Sequence, residues 1–196
     1  MKRAVIAVDF DDVIAAFNHS YIAHHNERYR TPYLTYEDIH TFDLMEVYGV
    51  DHDTIVDRIR NFCHTHHDEI LPWPGVVEGL GQLFRTYDLH MLTSRCESLR
   101  EITERWLVKN GLRDMFSELH FTNGFGSLYP DRTRGKLEVC LELQAVVLID
   151  DAPLNAQQVA DGGILVLMPD RPWNRGFVHP LVRRFDAMSE ITSLVP

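Results

Sequence analysis

"AVIAVDFDDVIAAF", residues 4–17, passes from five apolar residues straight into Asp9, Asp11 and Asp12. The apolar run reads as a buried strand. Carboxylates are seldom left buried unless something pairs with them. Three of them at a strand end therefore either mark a turn or hold a cation and do chemistry. Residues two apart on an extended segment share a side, so Asp9 and Asp11 can face one site while Phe10 turns away.

Further short apolar runs follow at "LHMLT" (89–93), "ELHFT" (118–122), "AVVLI" (145–149) and "GILVLM" (163–168). Helical patterns alternate with them, at 75–87, 97–111, 135–144 and 153–162. Leu99, Ile102 and Trp106 keep helical spacing in the second, where Ser98 and Glu101 suggest a capping box. Strands alternating with helices imply a mainly parallel sheet covered on both faces. Residues 14–74 interrupt the rhythm with helical material: Ile14, Phe17 and Tyr21 on one face, and Ile55, Ile59 and Phe62 on another. The expected organisation is an α/β core from residues 1–13 and 75–196, with an α-helical cap at 14–74 inserted after the first strand.

Composition narrows the function classes. A formal net charge of −10 argues against a sequence-independent grip on nucleic-acid phosphates. Three scattered cysteines, Cys63, Cys96 and Cys140, point to reduced thiols in a cytoplasmic setting rather than a disulfide framework. No stretch approaches a membrane span, and the apolar run after "MKR" is too short for a signal-peptide core.

In open parallel sheets, ligands sit outside the carboxyl ends of the strands. The residues there are Asp9 and Asp11, then "TSR" (Thr93, Ser94, Arg95), then Asp150 and Asp151, with Lys136 opening the helix before the fourth strand. Up to four carboxylates at one edge would repel one another unless protons or a cation neutralise them. All-oxygen ligation suits Mg²⁺, which keeps several waters and accepts substrate phosphate oxygens. A carboxylate can also attack phosphorus. That step needs an acid for the leaving oxygen, a base for water, and cations and hydroxyls around the phosphoryl group. Asp9, Asp11, Thr93, Lys136 and Mg²⁺ would supply these parts.

Taken in order, "VIAVDFDDVI", "LHMLTSR", "RGKLEVC" and "VVLIDDAP" resemble the four motifs of the haloacid-dehalogenase (HAD) superfamily, whose core is a Rossmann-like parallel sheet. "TSR", "LIDDAP", "PDRPWNRG" and the cap type are most similar to its 5′(3′)-deoxyribonucleotidase-like branch. The resemblance implies Asp9 as nucleophile and Mg²⁺ ligand, and Asp11 as general acid/base with its backbone carbonyl on the metal. It implies Thr93 as a phosphoryl hydrogen-bond donor and Lys136 as the balancing charge. Asp151 would be the third protein ligand, with Asp150 beside it. An aspartate two positions after the nucleophile marks the family's phosphatases, which favours phosphoester hydrolysis. Asp12 stands where many relatives have a small residue; it either adds charge near the site or only caps the first cap helix.

The other readings are plainer. Ser94 and Arg95 divide between phosphate contact and structural hydrogen bonding. Arg132 and Arg134 compete with Lys136 for its role. Phe17, Tyr36, Phe42 and Trp73 either stack on a nucleobase or form the cap's own core. The histidines of "HH" (24–25) and "HTHH" (64–67) read as a solvated helix face, and "PWN" (172–174) as a structural loop. The expected substrate is a small phosphomonoester such as a nucleoside monophosphate, not duplex nucleic acid. The rival readings are a binding or regulatory protein on the same fold, a phosphotransferase, or a phosphatase of nucleic-acid ends.

Overall fold

The computed structural model describes residues 3–124 and 133–196; Arg132 lies outside them. Six parallel strands form one sheet: β1 (Val5–Val8), β2 (Asp88–Thr93), β3 (Phe116–Phe121), β4 (Ala145–Ile149), β5 (Leu165–Pro169) and β6 (Val182–Phe185). Their spatial order is β3-β2-β1-β4-β5-β6. Alternate side chains explain why the strands read as unbroken apolar runs. Ile6, Val8, Leu89, Met91, Val147 and Ile149 pack on one face against α4 (Val76–Phe84) and α5 (Arg100–Lys109). Val5, Ala7, Leu92, Leu148 and Val166 pack on the other against α6 (Lys136–Leu143) and α7 (Pro153–Asp161). A strand buried on both faces has no polar side to show.

Between β1 and α4 lie α1 (Phe17–Arg28), a 3₁₀ turn at Tyr36–Asp38, α2 (Leu44–Tyr48), α3 (His52–Thr65) and a second 3₁₀ turn at His67–Glu69. Ile55, Ile59 and Phe62 form the buried face of α3, as their spacing predicts. Ile14 falls outside α1, in the connection that precedes it. The two connections of this segment pair with each other: Ala16 N–H donates to Leu71 O at 2.8 Å and Trp73 N–H to Ile14 O at 2.9 Å.

Two local expectations are corrected. Ser98 and Glu101 form no capping box, because Ser98 lies inside a 3₁₀ turn at Glu97–Leu99 and Leu99 takes the N-cap position of α5. The C-terminal "VHPLVRRFDAMSEITSLVP" (178–196) reads from its sequence as a closing segment plus a short amphipathic helix, but it also contributes β6 before α8 (Ile191–Leu194).

Candidate active site

The chain leaves β1 toward β2 and β3 on one side and returns to β4 on the other, so β1 and β4 are neighbours. Such a reversal opens a crevice at the carboxyl ends of the strands. Asp9 stands there after β1, with its N–H held by Ile149 O at 2.9 Å, and Asp150 and Asp151 stand after β4. Lys136, buried at the start of α6, lies 2.7 Å from Asp9 Oδ1 and 2.7 Å from Asp150 Oδ2. Asp150 also accepts from Ala152 N–H at 2.9 Å and from Asn155 Nδ2, so both its oxygens are engaged. Asp151 Oδ2 accepts from Trp173 Nε1 at 2.8 Å. One carboxylate oxygen each of Asp9, Asp150 and Asp151 falls within 4.8 Å of the others.

Charge in this cluster is unbalanced. Burial raises the Asp9 carboxyl to about 7 despite Lys136, with Asp150 adding to the rise. Burial, then the charges of Asp9 and Asp150, holds Asp151 well above the carboxylate range. Burial also works against the Lys136 ammonium, but Asp150 and Asp9 outweigh it and raise its pKa. One ammonium thus serves three buried carboxyls, all offering oxygen. That donor set fits a hard divalent cation such as Mg²⁺ and offers Zn²⁺ neither thiolate nor imidazole. Asp9 and Asp151 have the freer oxygens to hold it.

A pH dependence follows. Asp9 and Asp12, raised by burial to about 7 and about 8, bind their protons more tightly folded than unfolded. Their contribution to stability is full below the ordinary carboxyl pKa near 4 and is lost as pH rises through 7 to 8. A cation offsets that loss only when the carboxyls are ionised. Thermal melts with and without Mg²⁺ are expected to show a larger rise in Tm at pH 8 than at pH 5. An equal rise at both would disprove the linkage.

Thr93, buried at the end of β2, accepts Arg95 N–H on its Oγ1 at 3.2 Å, which leaves its hydroxyl hydrogen for another acceptor. Thr93, Ser94, Asp9, Asp11 and Asp151 line a cleft of about 220 Å³. Phe17, Leu44 and Ile59, from α1, α2 and α3, and Phe42, from the bend before α2, give it an apolar roof. Tyr36 and Trp73 are not among its lining residues: Tyr36 stacks on His19 at 3.9 Å, and Trp73 lies under the Arg171 guanidinium at 3.8 Å.

Arg95 lines the cleft, but its guanidinium is spent on protein partners rather than left open for phosphate. Nε donates to Asp11 Oδ2 at 2.8 Å and Nη2 to Asp11 Oδ1 at 2.7 Å. Nη1 donates to His67 Nε2 and to Thr103 Oγ1. The plane of the group lies over the Phe10 ring at 4.4 Å. Asp11 is therefore set apart from the three clustered carboxylates, with both oxygens in a bidentate pair. Arg134 is partly buried and paired with Glu138 and Glu142, which leaves Lys136 as the lysine or arginine paired with Asp9 among the described residues.

The remaining expectations divide. Asp12 does serve α1, accepting the Asn18 N–H at 3.1 Å and the Asn18 side chain at 2.8 Å, from outside the N-cap position. The solvated reading of the histidines fails at His25 and His67, both buried. His25 Nε2 lies 3.0 Å from Pro32 O. Burial, with Arg95 adding, pushes His67 down to about 2, so it is neutral and free to accept from Arg95. Residues 171–174 carry a role that the sequence did not disclose. Asn174 Nδ2 donates to Asp151 O at 2.8 Å, and Arg171 grips Asp12 O through Nε at 3.0 Å and Nη2 at 2.8 Å. The signal was "PDRPWNRG" itself, two polar hydrogen-bonding residues around a tryptophan right after a core strand.

Because Trp173 holds one oxygen of Asp151, Trp173→Phe is expected to weaken Mg²⁺ binding about 10-fold, as loss of a supporting hydrogen bond at a metal ligand does. Calorimetric titration with Mg²⁺ reads this directly, and unchanged affinity would remove Trp173 from the site.

Among solved structures, the fold is that of haloacid dehalogenase-like hydrolases. A hydrolase of that description from Streptococcus pneumoniae matches with a TM-score of 0.70 at 15% identity, over 98% of both chains. A putative phosphoglycolate phosphatase from Lactobacillus plantarum matches with a TM-score of 0.65 at 14% identity, over 99% of this chain and all (100%) of that one. A putative HAD hydrolase from Bacillus subtilis, solved with magnesium bound, matches with a TM-score of 0.59 at 14% identity, over 99% of each chain. No protein-family model and no curated protein matches the sequence. Among the described residues, no helix is long and apolar enough to cross a membrane.

Proposed function

We propose that the protein is a Mg²⁺-dependent phosphomonoester hydrolase that works through an aspartyl-phosphate on Asp9. The observation that carries this reading is the buried Asp9, paired at 2.7 Å with Lys136 and grouped with Asp150 and Asp151 under a cleft that Thr93 and Asp11 also line. Asp9 and Asp151, with Asp150 behind, would hold the cation, which when bound would supply charge neutralisation for the incoming phosphoryl oxygens. An Asp9 carboxylate oxygen attacks phosphorus as the bond to the leaving oxygen breaks, and Asp11 gives that oxygen its proton. Asp11 then takes a proton from water, which attacks the same phosphorus and releases phosphate from Asp9. Thr93, Ser94 and Lys136 stabilise the phosphoryl oxygens. Both Asp11 oxygens are held by Arg95, so Arg95 must give up at least one for either proton transfer.

The segment at 14–74 acts as the cap, and its Phe17 and Phe42 line the cleft. They support a small phosphomonoester with a flat apolar part, a nucleoside monophosphate being the first candidate, as the resemblance to deoxyribonucleotidases suggests. The scattered cysteines support action in the cytoplasm.

The test is phosphate release from a panel of phosphomonoesters, weighted toward deoxy- and ribonucleoside monophosphates, with and without Mg²⁺. Release that requires Mg²⁺ is expected, and the preferred member names the substrate class. No release from any member, with Mg²⁺ bound, would turn the reading toward a binding protein.

A further inference from the structure

The edge of the sheet carries a second convergence of metal-binding side chains. His90 on β2 pairs in register with Glu118 on β3, and Leu92 pairs with His120, so His90, Glu118 and His120 share one face. His90 is buried there, His120 is partly covered and Glu118 is exposed. His90 Nδ1 and His120 Nε2 stand 3.0 Å apart, with the rings inclined by 20°. Glu118 Oε2 approaches the same His120 Nε2 to 3.6 Å, and one ligand atom from each of the three residues falls within 4.8 Å of the others.

An imidazole nitrogen has one in-plane site, filled by a proton or a lone pair. If His120 Nε2 shares a proton with His90, it has nothing for Glu118; if it donates to Glu118, it is lost to His90. A cation satisfies all three at once. Behind His90, Asp88 Oδ2 lies 3.6 Å from Nε2, and the Ser117 hydroxyl bonds Asp88 on its Oδ1. A carboxylate behind a ligating imidazole orients the ring and raises its basicity. The nearby cations Arg100 and Arg134 are themselves paired, with Glu97 and Glu104 and with Glu138 and Glu142.

The geometry points to a transition-metal site formed by His90, Glu118 and His120, chemically separate from the carboxylate crevice. Two imidazoles and one carboxylate select a first-row ion such as Zn²⁺ over Mg²⁺, and three protein ligands leave a position for water. The ion would bridge β2 to the edge strand β3, on the strand that ends at Thr93.

The test is calorimetric titration of Zn²⁺ into the untagged full chain at saturating Mg²⁺, with Co²⁺ absorption as an independent readout of ligation. One equivalent of Zn²⁺ is expected, weakened about 10-fold or more by Glu118→Gln, lost in His120→Ala and retained in Asp9→Asn. Bound Zn²⁺ should raise Tm by about 5 °C when its concentration is far above Kd. Glu118 is exposed, so Glu118→Gln tests ligation without threatening the fold. No uptake, uptake unchanged in both edge variants, or uptake lost with Asp9→Asn would overturn the site and leave the two histidines as an N–H···N pair.

Discussion

Asp9→Asn is expected to lower phosphate release by roughly 10⁴-fold or more, since the amide cannot serve as the attacking carboxylate. The substitution is nearly isosteric, and Lys136 keeps its 2.7 Å contact with Asp150. Without metal, the variant should melt no lower than the parent at pH 8, because it removes a carboxyl that burial opposes ionising. Assay and melt together separate chemistry from folding. A variant retaining a tenth of parental release would show that Asp9 is not the nucleophile.

Lys136→Met has the largest expected effect on stability. Methionine matches the length and bulk of the lysine stem, but it leaves Asp9 and Asp150 buried without their ammonium. Removing one partner of a buried ion pair costs roughly 3–5 kcal/mol. In a chain of this size that lowers Tm by about 10 °C. Mg²⁺ should restore part of the loss by replacing the missing positive charge, whereas it should do less for a variant whose defect is packing. Release should also fall, on the order of 100-fold or more, because a charge that stabilises the phosphoryl oxygens is gone. A melt within a degree or two of the parent would mean that the carboxyls are protonated at neutral pH and need no counter-charge.

What the sequence discloses follows from the range of its signals. β1, β2, β4 and β5 are buried on both faces, so each is written as a local apolar run, and the candidate residues fall at their ends. β6 escapes because, unlike the other edge strand β3, which keeps Leu119 and Phe121, half of its four residues are arginines. Its "VRRF" carries Arg183, exposed and bonded to Leu194 O, and Arg184, turned to Asn174, and these break the apolar pattern. The pair of Asp11 with Arg95 spans 84 residues, and that of Asp151 with Trp173 spans 22. Contacts of that reach leave no periodic trace in one sequence. His67 illustrates the same limit. Its neighbours in "HTHH" suggest solvent, and only the placement of the Arg95 guanidinium makes a buried neutral imidazole sensible.

The mutual pairing of the two connections around the helical insertion has a consequence for how such a protein changes over time. With Ala16 tied to Leu71 and Ile14 to Trp73, the insertion enters and leaves the sheet at one point. Although it packs on the core, as His67 does on Arg95, its length adds little closure entropy to the passage from β1 to β2. Lengthening or exchanging the helices beyond that stitch is expected to leave the register of Asp9 against Asp150 and Lys136 in place so long as His67 still meets Arg95 and Ile70 still meets Trp106. Under the proposed function, the reacting carboxyls and the cleft lining given by Phe17, Phe42, Leu44 and Ile59 are then separable units, and the second is the freer to drift.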